Sequence, residues 1–168
     1  KGCFTIRNIA IAALHGDADA LDAISGMLRN LNAKELLGIL KNDTVTLSAI
    51  AIAACRGYPD ALNAISDTLG EFSEGDLFEI FKNEKQTLSS IADAACKGSP
   101  KALDAISIKL AGIYKNYNFY EIIQENGCFT IRNIAVAAQH GHADALNAIS
   151  EMLTKLNAKE LLGILKND

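Results

Sequence analysis

The chain lacks any apolar run of the roughly eighteen residues that a membrane span needs, and it carries no signal-peptide pattern. It also lacks the short motifs that announce chemistry. There is no glycine-rich phosphate loop, no Cys/His set at metal-ligand spacing and no nucleophile elbow. His140-Gly141-His142 brings two imidazoles together, but no third ligand is near in sequence, and the first copy of this stretch has Asp17 in place of His142. The carboxylate pair Asp17/Asp19 stands at the start of a helix, where negative charge suits the helix dipole. No catalytic residue, metal or cofactor is therefore expected.

What is present is repetition. The segment Thr5 to Gly16 (Thr-Ile-Arg-Asn-Ile-Ala-Ile-Ala-Ala-Leu-His-Gly) returns at Thr46 to Gly57, Thr87 to Gly98 and Thr130 to Gly141, with the matched glycines 41, 41 and 43 residues apart. A tandem period of about forty residues points to a stacked array in which each unit touches its neighbours. The units read 1–42, 43–83, 84–125 and 126–168.

A larger repeat lies over this one. Residues 1–43 and 126–168 align without a gap and differ only at Lys1/Asn126, Ile11/Val136, Leu14/Gln139, Asp17/His142, Asp22/Asn147, Gly26/Glu151, Arg29/Thr154 and Asn30/Lys155. A three-unit block of 125 residues is thus duplicated, and the tripeptide Lys41-Asn42-Asp43 that leads into unit two recurs as Lys166-Asn167-Asp168. The chain reads as a window on a longer array.

Composition is 49% hydrophobic, and much of that share is Ala, which favours helix and lets helices approach closely. Three helices per unit are predicted. Helix A follows Thr5, Thr46, Thr87 or Thr130 as N-cap and ends at Gly16, Gly57, Gly98 or Gly141, where glycine can adopt the left-handed conformation. Helix B spans 18–28 and its counterparts, begins at Pro59 and Pro100 in units two and three, takes Asp17 and Ser99 as caps, and carries Ala-Leu-Asp/Asn-Ala-Ile-Ser. Helix C spans 33–41, with Leu36, Leu37, Ile39 and Leu40 as its stripe and Asn42, Asn83 or Asn167 at its left-handed end. Unit three departs in this stretch, where Tyr114, Tyr117, Phe119 and Tyr120 cluster beside two extra residues; a local core is the favoured reading.

The net charge of -4 resides in unit two, where Asp43, Asp60, Asp67, Glu71, Glu74, Asp76 and Glu79 face only Arg56 and Lys82. A solvated helix surface accounts for this, and attraction of a basic partner is the alternative. The cysteines fall in repeat-equivalent pairs, Cys3 with Cys128 and Cys55 with Cys96. Adjacent helices pack about 8–10 Å apart, beyond the Cα separation of about 7 Å that a disulfide tolerates. Free thiols and a reducing, cytoplasmic compartment are expected.

Aligning the copies separates the faces of helix A. Positions 6, 9, 10 and 13 read Ile/Leu, Ile, Ala, Ala in every unit and form the packing face. The other side varies. It reads Arg7, Asn8, Ile11, Leu14, His15; Ser48, Ala49, Ile52, Cys55, Arg56; Ser89, Ser90, Asp93, Cys96, Lys97; and Arg132, Asn133, Val136, Gln139, His140. Regular stacking holds residues alike, whereas a surface meeting a non-repeating partner is free to change, so this ladder is the candidate binding face. The cation before each glycine (His15, Arg56, Lys97, His140) has a simpler use at the negative end of the helix dipole.

The runs Ala12-Ala13-Leu14-His15-Gly16-Asp17-Ala18-Asp19-Ala20-Leu21 and Ala137-Ala138-Gln139-His140-Gly141-His142-Ala143-Asp144-Ala145-Leu146 resemble the centre of an ankyrin repeat. The likeness covers about half of each unit. Thr-Pro-Leu-His is absent and the period exceeds the ankyrin length of about 33 by a third helix, a length more like armadillo repeats. Both families imply an α-solenoid that binds proteins along a groove. Phe4-Thr5, Ile9, Ala13, His15-Gly16 and Ala20-Leu21 are also similar to the repeat of transcription-activator-like effectors, which read DNA from the turn between two helices. Here Asp17-Ala18-Asp19-Ala20 replaces that family's phosphate-contacting stretch, and acidic turns oppose phosphate neutralisation. The expectation is an all-α, right-handed α-solenoid of four three-helix repeats, a non-catalytic scaffold for a protein or peptide. Self-association into an end-to-end array is the alternative, DNA reading the second, and no membrane partner is foreseen.

Overall fold

The computed structural model describes residues 2–123 and 127–166, for 2–5, 127, 128 and 165 the backbone alone. Among the described residues there are twelve α-helices and no strand. Unit one holds α1 (Gly2–Leu14), α2 (Asp19–Leu28) and α3 (Ala33–Asn42); unit two holds α4 (Val45–Cys55), α5 (Asp60–Gly70) and α6 (Glu74–Asn83). Unit three holds α7 (Gln86–Cys96), α8 (Lys101–Asn116) and α9 (Tyr120–Ile123); unit four holds α10 (Gly127–Gln139), α11 (Asp144–Lys155) and α12 (Ala158–Leu165).

The helices form two ladders. In one, α1 packs on α4, α4 on α7 and α7 on α10; in the other, α2 packs on α5, α5 on α8 and α8 on α11. The ladders pack on each other within each unit, and the third helices fill the joints: α3 touches α4, α5 and α6, while α6 reaches α7, α8 and α9. The packing face lies between them, with Leu47, Ile50, Ala51 and Ala54 of α4 and Leu88, Ile91, Ala92 and Ala95 of α7 all buried. Among the described residues no single helix is long and apolar enough to cross a membrane.

Gly16, Gly57, Gly98 and Gly141 have φ of 105°, 101°, 97° and 100°, and no other described residue has positive φ. At each, the following N–H turns back onto the helix, as in Asp17 N–H to Ala12 O (3.3 Å) and Ser99 N–H to Ala94 O (3.0 Å). This left-handed closure needs a residue without a Cβ penalty. It leads straight into the second helix.

Other predicted caps are overturned. Thr46 and Thr87 lie inside α4 and α7, one residue past their first, and Thr130 is three residues into α10; all three are buried. Thr46 and Thr87 Oγ1 have no hydrogen-bond partner, so their small β-branched side chains serve packing there. Thr5's side chain lies outside what is described. Asp17 and Ser99 make no side-chain cap, because the glycine turn has already bent the chain. Asn42 and Asn83 keep negative φ, and Asn167 lies outside the described residues.

The third helices bring their own caps. Asn32 Oδ1 accepts from Glu35 N–H (2.9 Å) while Asn32 N–H donates to Glu35 Oε2 (3.1 Å), and Asn157 with Glu160 repeats this box. Ser73 caps α6 by accepting from Asp76 N–H. Two free helix donors are satisfied in each box. In the second ladder, the recurring serines satisfy their hydroxyls within the helix, Ser25 on Leu21 O, Ser66 on Leu62 O and Ser107 on Leu103 O. A small, internally satisfied residue thus sits where neighbouring helices meet.

Unit three redistributes its helices. The apolar period runs on through Leu110 and Ile113, so α8 extends to Asn116 and its third helix shrinks to the four residues of α9. Tyr114 therefore belongs to the second helix, not the third. Tyr117 stacks on Phe78 of α6 with ring centroids 4.7 Å apart, and Phe119 is buried. The aromatic cluster seals the joints on either side of unit three.

Candidate functional site

The variable ladder lies along the outer side of the first row of helices, and the structure divides its residues between stitching and solvent. Arg56 Nη1 donates to Leu14 O (2.9 Å), the last carbonyl of the preceding first-row helix. It thereby satisfies an orphan acceptor at a negative helix end. Cys55 Sγ donates to Ser90 O (3.3 Å) and Cys96 Sγ to Asn133 O (3.0 Å), while Asn133 Nδ2 donates to Ser89 O (3.3 Å). These bonds tie α4 to α7 and α7 to α10.

Arg7 Nε stands 3.7 Å from Asp43 Oδ2 at the end of α3. Ser48 and Ala49 are buried, so the ladder is closed in the middle of α4. Leu14 is half-buried against the core, and Ile52 and Val136 are half-buried. Asn8, Ile11, His15, Arg56, Lys97, Arg132, Gln139 and His140 are exposed.

Asp93 stands where the other units have Ile or Val. It is half-buried and bonded to Lys97 Nζ at 2.9 Å, one helical turn away. The Asp93 hydrogen bond raises the Lys97 ammonium above its ordinary value. Burial pushes the Cys55 thiol up to about 12, with Asp93 adding to the shift, and burial raises Cys96 as well. Both remain protonated near neutral pH, so neither is a ready nucleophile or thiolate ligand. Both are free cysteines, and the side chains of Cys3 and Cys128 lie outside the described residues.

Between α7 and α10 the ladder opens into a hollow of about 250 Å³ lined by Gln86, Ser89, Ser90, Asp93, Asn133 and Phe129. Four of the six are ladder positions. Gln86 and the exposed Phe129 share one repeat position, just before the threonine that opens each repeated segment, and so fall outside the variable ladder predicted from the sequence. A second groove, about 520 Å³, runs between α8 and α11 past Ile108 and Tyr114. Ile108 is 83% exposed, and the other units have Gly26, Asp67 and Glu151 at its position, a contrast visible in the sequence.

The remaining chemistry is structural. His142 Nδ1 lies 3.1 Å from an Asp104 carboxylate oxygen, an ion pair across the joint between units three and four when the imidazole is protonated. Among the described residues no three His, Cys, Asp or Glu side chains converge to hold a metal ion. The acidity of unit two is partly spent on joints, since Lys41 pairs with Asp76 and Asn116 donates to Glu74. Comparison with protein-family models, with curated proteins and with solved structures finds no match.

Proposed function

We propose that this chain is a right-handed α-solenoid of four three-helix units that acts as a non-catalytic scaffold, binding a protein or peptide along the outer face of its first helix row. The hollow between α7 and α10 is the observation that carries this reading. It sets an exposed aromatic ring beside hydroxyl, amide and carboxylate groups. Such a mixture suits a peptide, whose side chain can cover Phe129 while its backbone meets Ser90, Gln86 and Asn133. Asp93 adds a preference for a basic residue.

The stitches across the ladder also support it, since they hold the helices that line the hollow at fixed spacing. A rigid site costs less entropy on binding. The test is selection of a displayed random-peptide library on the chain, followed by affinity measurement on Phe129→Ser and Asp93→Ala. Enriched peptides should carry a basic residue and lose about tenfold in affinity on each variant, a change of about 1.4 kcal/mol. Enrichment that neither substitution weakens would sink the reading.

A further inference from the structure

Along the second row of helices, unit three departs from its copies at three positions of one helix face. Ile108 stands where the other units have Gly26, Asp67 and Glu151, and Ala111 where they have Arg29, Gly70 and Thr154. Tyr114 stands at the place of Asn32, Ser73 and Asn157, the residues that cap the third helix of those units. A tyrosine hydroxyl lies too far from its own backbone to cap a helix, so α8 runs on to Asn116. The extension carries Ile108, Ala111 and Tyr114 together into the groove of about 520 Å³ between α8 and α11.

The opposite wall is acidic. From α11, Asp144, Asn147 and Glu151 line the groove at successive helical turns. Glu151 meets Lys155 only at 4.0 Å, with both side chains largely exposed, and Asp144 is exposed as well. Lys115 and Lys155 close the far end, the Lys155 ammonium 5.1 Å from the centroid of the Tyr114 ring. The groove does not depend on an end of the chain. Ile108 is 83% exposed although α8 has α5 on one side and α11 on the other, and Asp60 and Asp67 of the internal α5 are exposed at the positions of Asp144 and Glu151.

We infer that this groove is a second docking surface, separate from the hollow between α7 and α10, and that it takes a basic amphipathic helix from a protein partner. An exposed apolar stripe rimmed by charge marks a contact surface. The stretch from Ser107 to Lys115 is about 12 Å long, two helical turns, which matches a ligand helix touching through residues at i, i+3 or i+4, and i+7. Its apolar face covers Ile108 and Ala111 and packs on the Tyr114 ring. Lys or Arg on the flank beside α11 meets Asp144 and Glu151. A helix satisfies its own backbone, whereas an extended strand would set N–H and C=O groups against Ile108 and Ala111, which offer them no side-chain partner.

Helix-stapled peptides, randomised at their unstapled positions, displayed and selected on the chain, test this. The selection is repeated on Ile108→Asp, which places the residue type of Asp67 at an exposed position. Peptides enriched on the parent but not on the variant should carry apolar residues at i, i+3 or i+4, and i+7, with Lys or Arg along one flank. In fluorescence anisotropy they should lose about tenfold or more in affinity on Ile108→Asp and on Glu151→Lys. They should also weaken with added salt and bind Phe129→Ser as they bind the parent.

The absence of any enrichment that depends on Ile108 overturns the proposal, and so does an acidic or uncharged flank or an affinity that Glu151→Lys leaves unmoved. Peptides that bind Ile108→Asp fully but are lost on Phe129→Ser belong to the hollow between α7 and α10, which would then stand without this second surface. Circular dichroism checks helicity, and Ile108→Gln replaces the aspartate variant if that variant loses it.

Discussion

In unit one, Leu36 is 2% exposed and Met27 63%; in unit four the matching Leu161 is 37% exposed and Met152 4%. Residue type, helix position and the Asn/Glu capping box are the same in both units. Neighbours alone make the difference. Helix formation in this chain is a local property, whereas burial is delivered by the adjacent unit, and the two can be measured apart because the sequence supplies its own control.

The largest effect that would break or sharpen this comparison is at the leucines. Leu36→Ala should cost about 2–5 kcal/mol in urea unfolding, because it opens a cavity under unit two, while Leu161→Ala should cost less than about 1 kcal/mol. Equal losses in dilute solution would mean that burial does not depend on neighbours. The methionines invert the order of units. Met152→Ala should cost about 2–3 kcal/mol, since unit three's Tyr114 and Phe119 share its crevice, and Met27→Ala should be nearly silent.

Much of this was legible in the sequence and some was not, for physical reasons. The four glycine turns were readable because positive φ restricts the residue, and the Leu/Ile-Ile-Ala-Ala face because packing demands sameness in every unit. The threonine caps failed because a residue just inside a helix and one just before it look alike in a pattern, and only the neighbouring row decides that Thr46 is buried. The length of α8 failed because Leu110 and Ile113 continue the helical period without a break signal. The stitching role of Cys55, Arg56 and Asn133 could not be read at all, since a hydrogen bond between rows depends on tertiary placement.

The threonines give a smaller test. Thr46 Oγ1 and Thr87 Oγ1 are both buried without a hydrogen-bond partner at the same repeat position. Thr87→Val should raise stability by about 1 kcal/mol by removing an unsatisfied hydroxyl, and Thr46→Val should do the same. A loss of stability at both positions in thermal unfolding would show that helix packing, not hydroxyl satisfaction, sets the value there.

Lys41 and Lys166 close the comparison at its weakest point. Lys41 is bound to Asp76 across the first joint, while Lys166 stands exposed in unit four. The hydrogen bond from Lys41, helped by Ser73, holds the Asp76 carboxyl below its ordinary 3.8. A carboxyl whose folded pKa is depressed contributes stability above its unfolded value and loses it as pH falls through the folded value. Asp76→Asn should therefore cost about 0.5 kcal/mol at pH 7, a small figure because Lys41 is half exposed and solvent screens the pair. The parent and the variant should converge in stability once pH falls through the folded pKa of Asp76, which lies below 3.8, and high salt at neutral pH should narrow the same gap. Urea midpoints that stay apart at pH 2 would place the cost in the Ser73 cap and not in the ion pair across the joint.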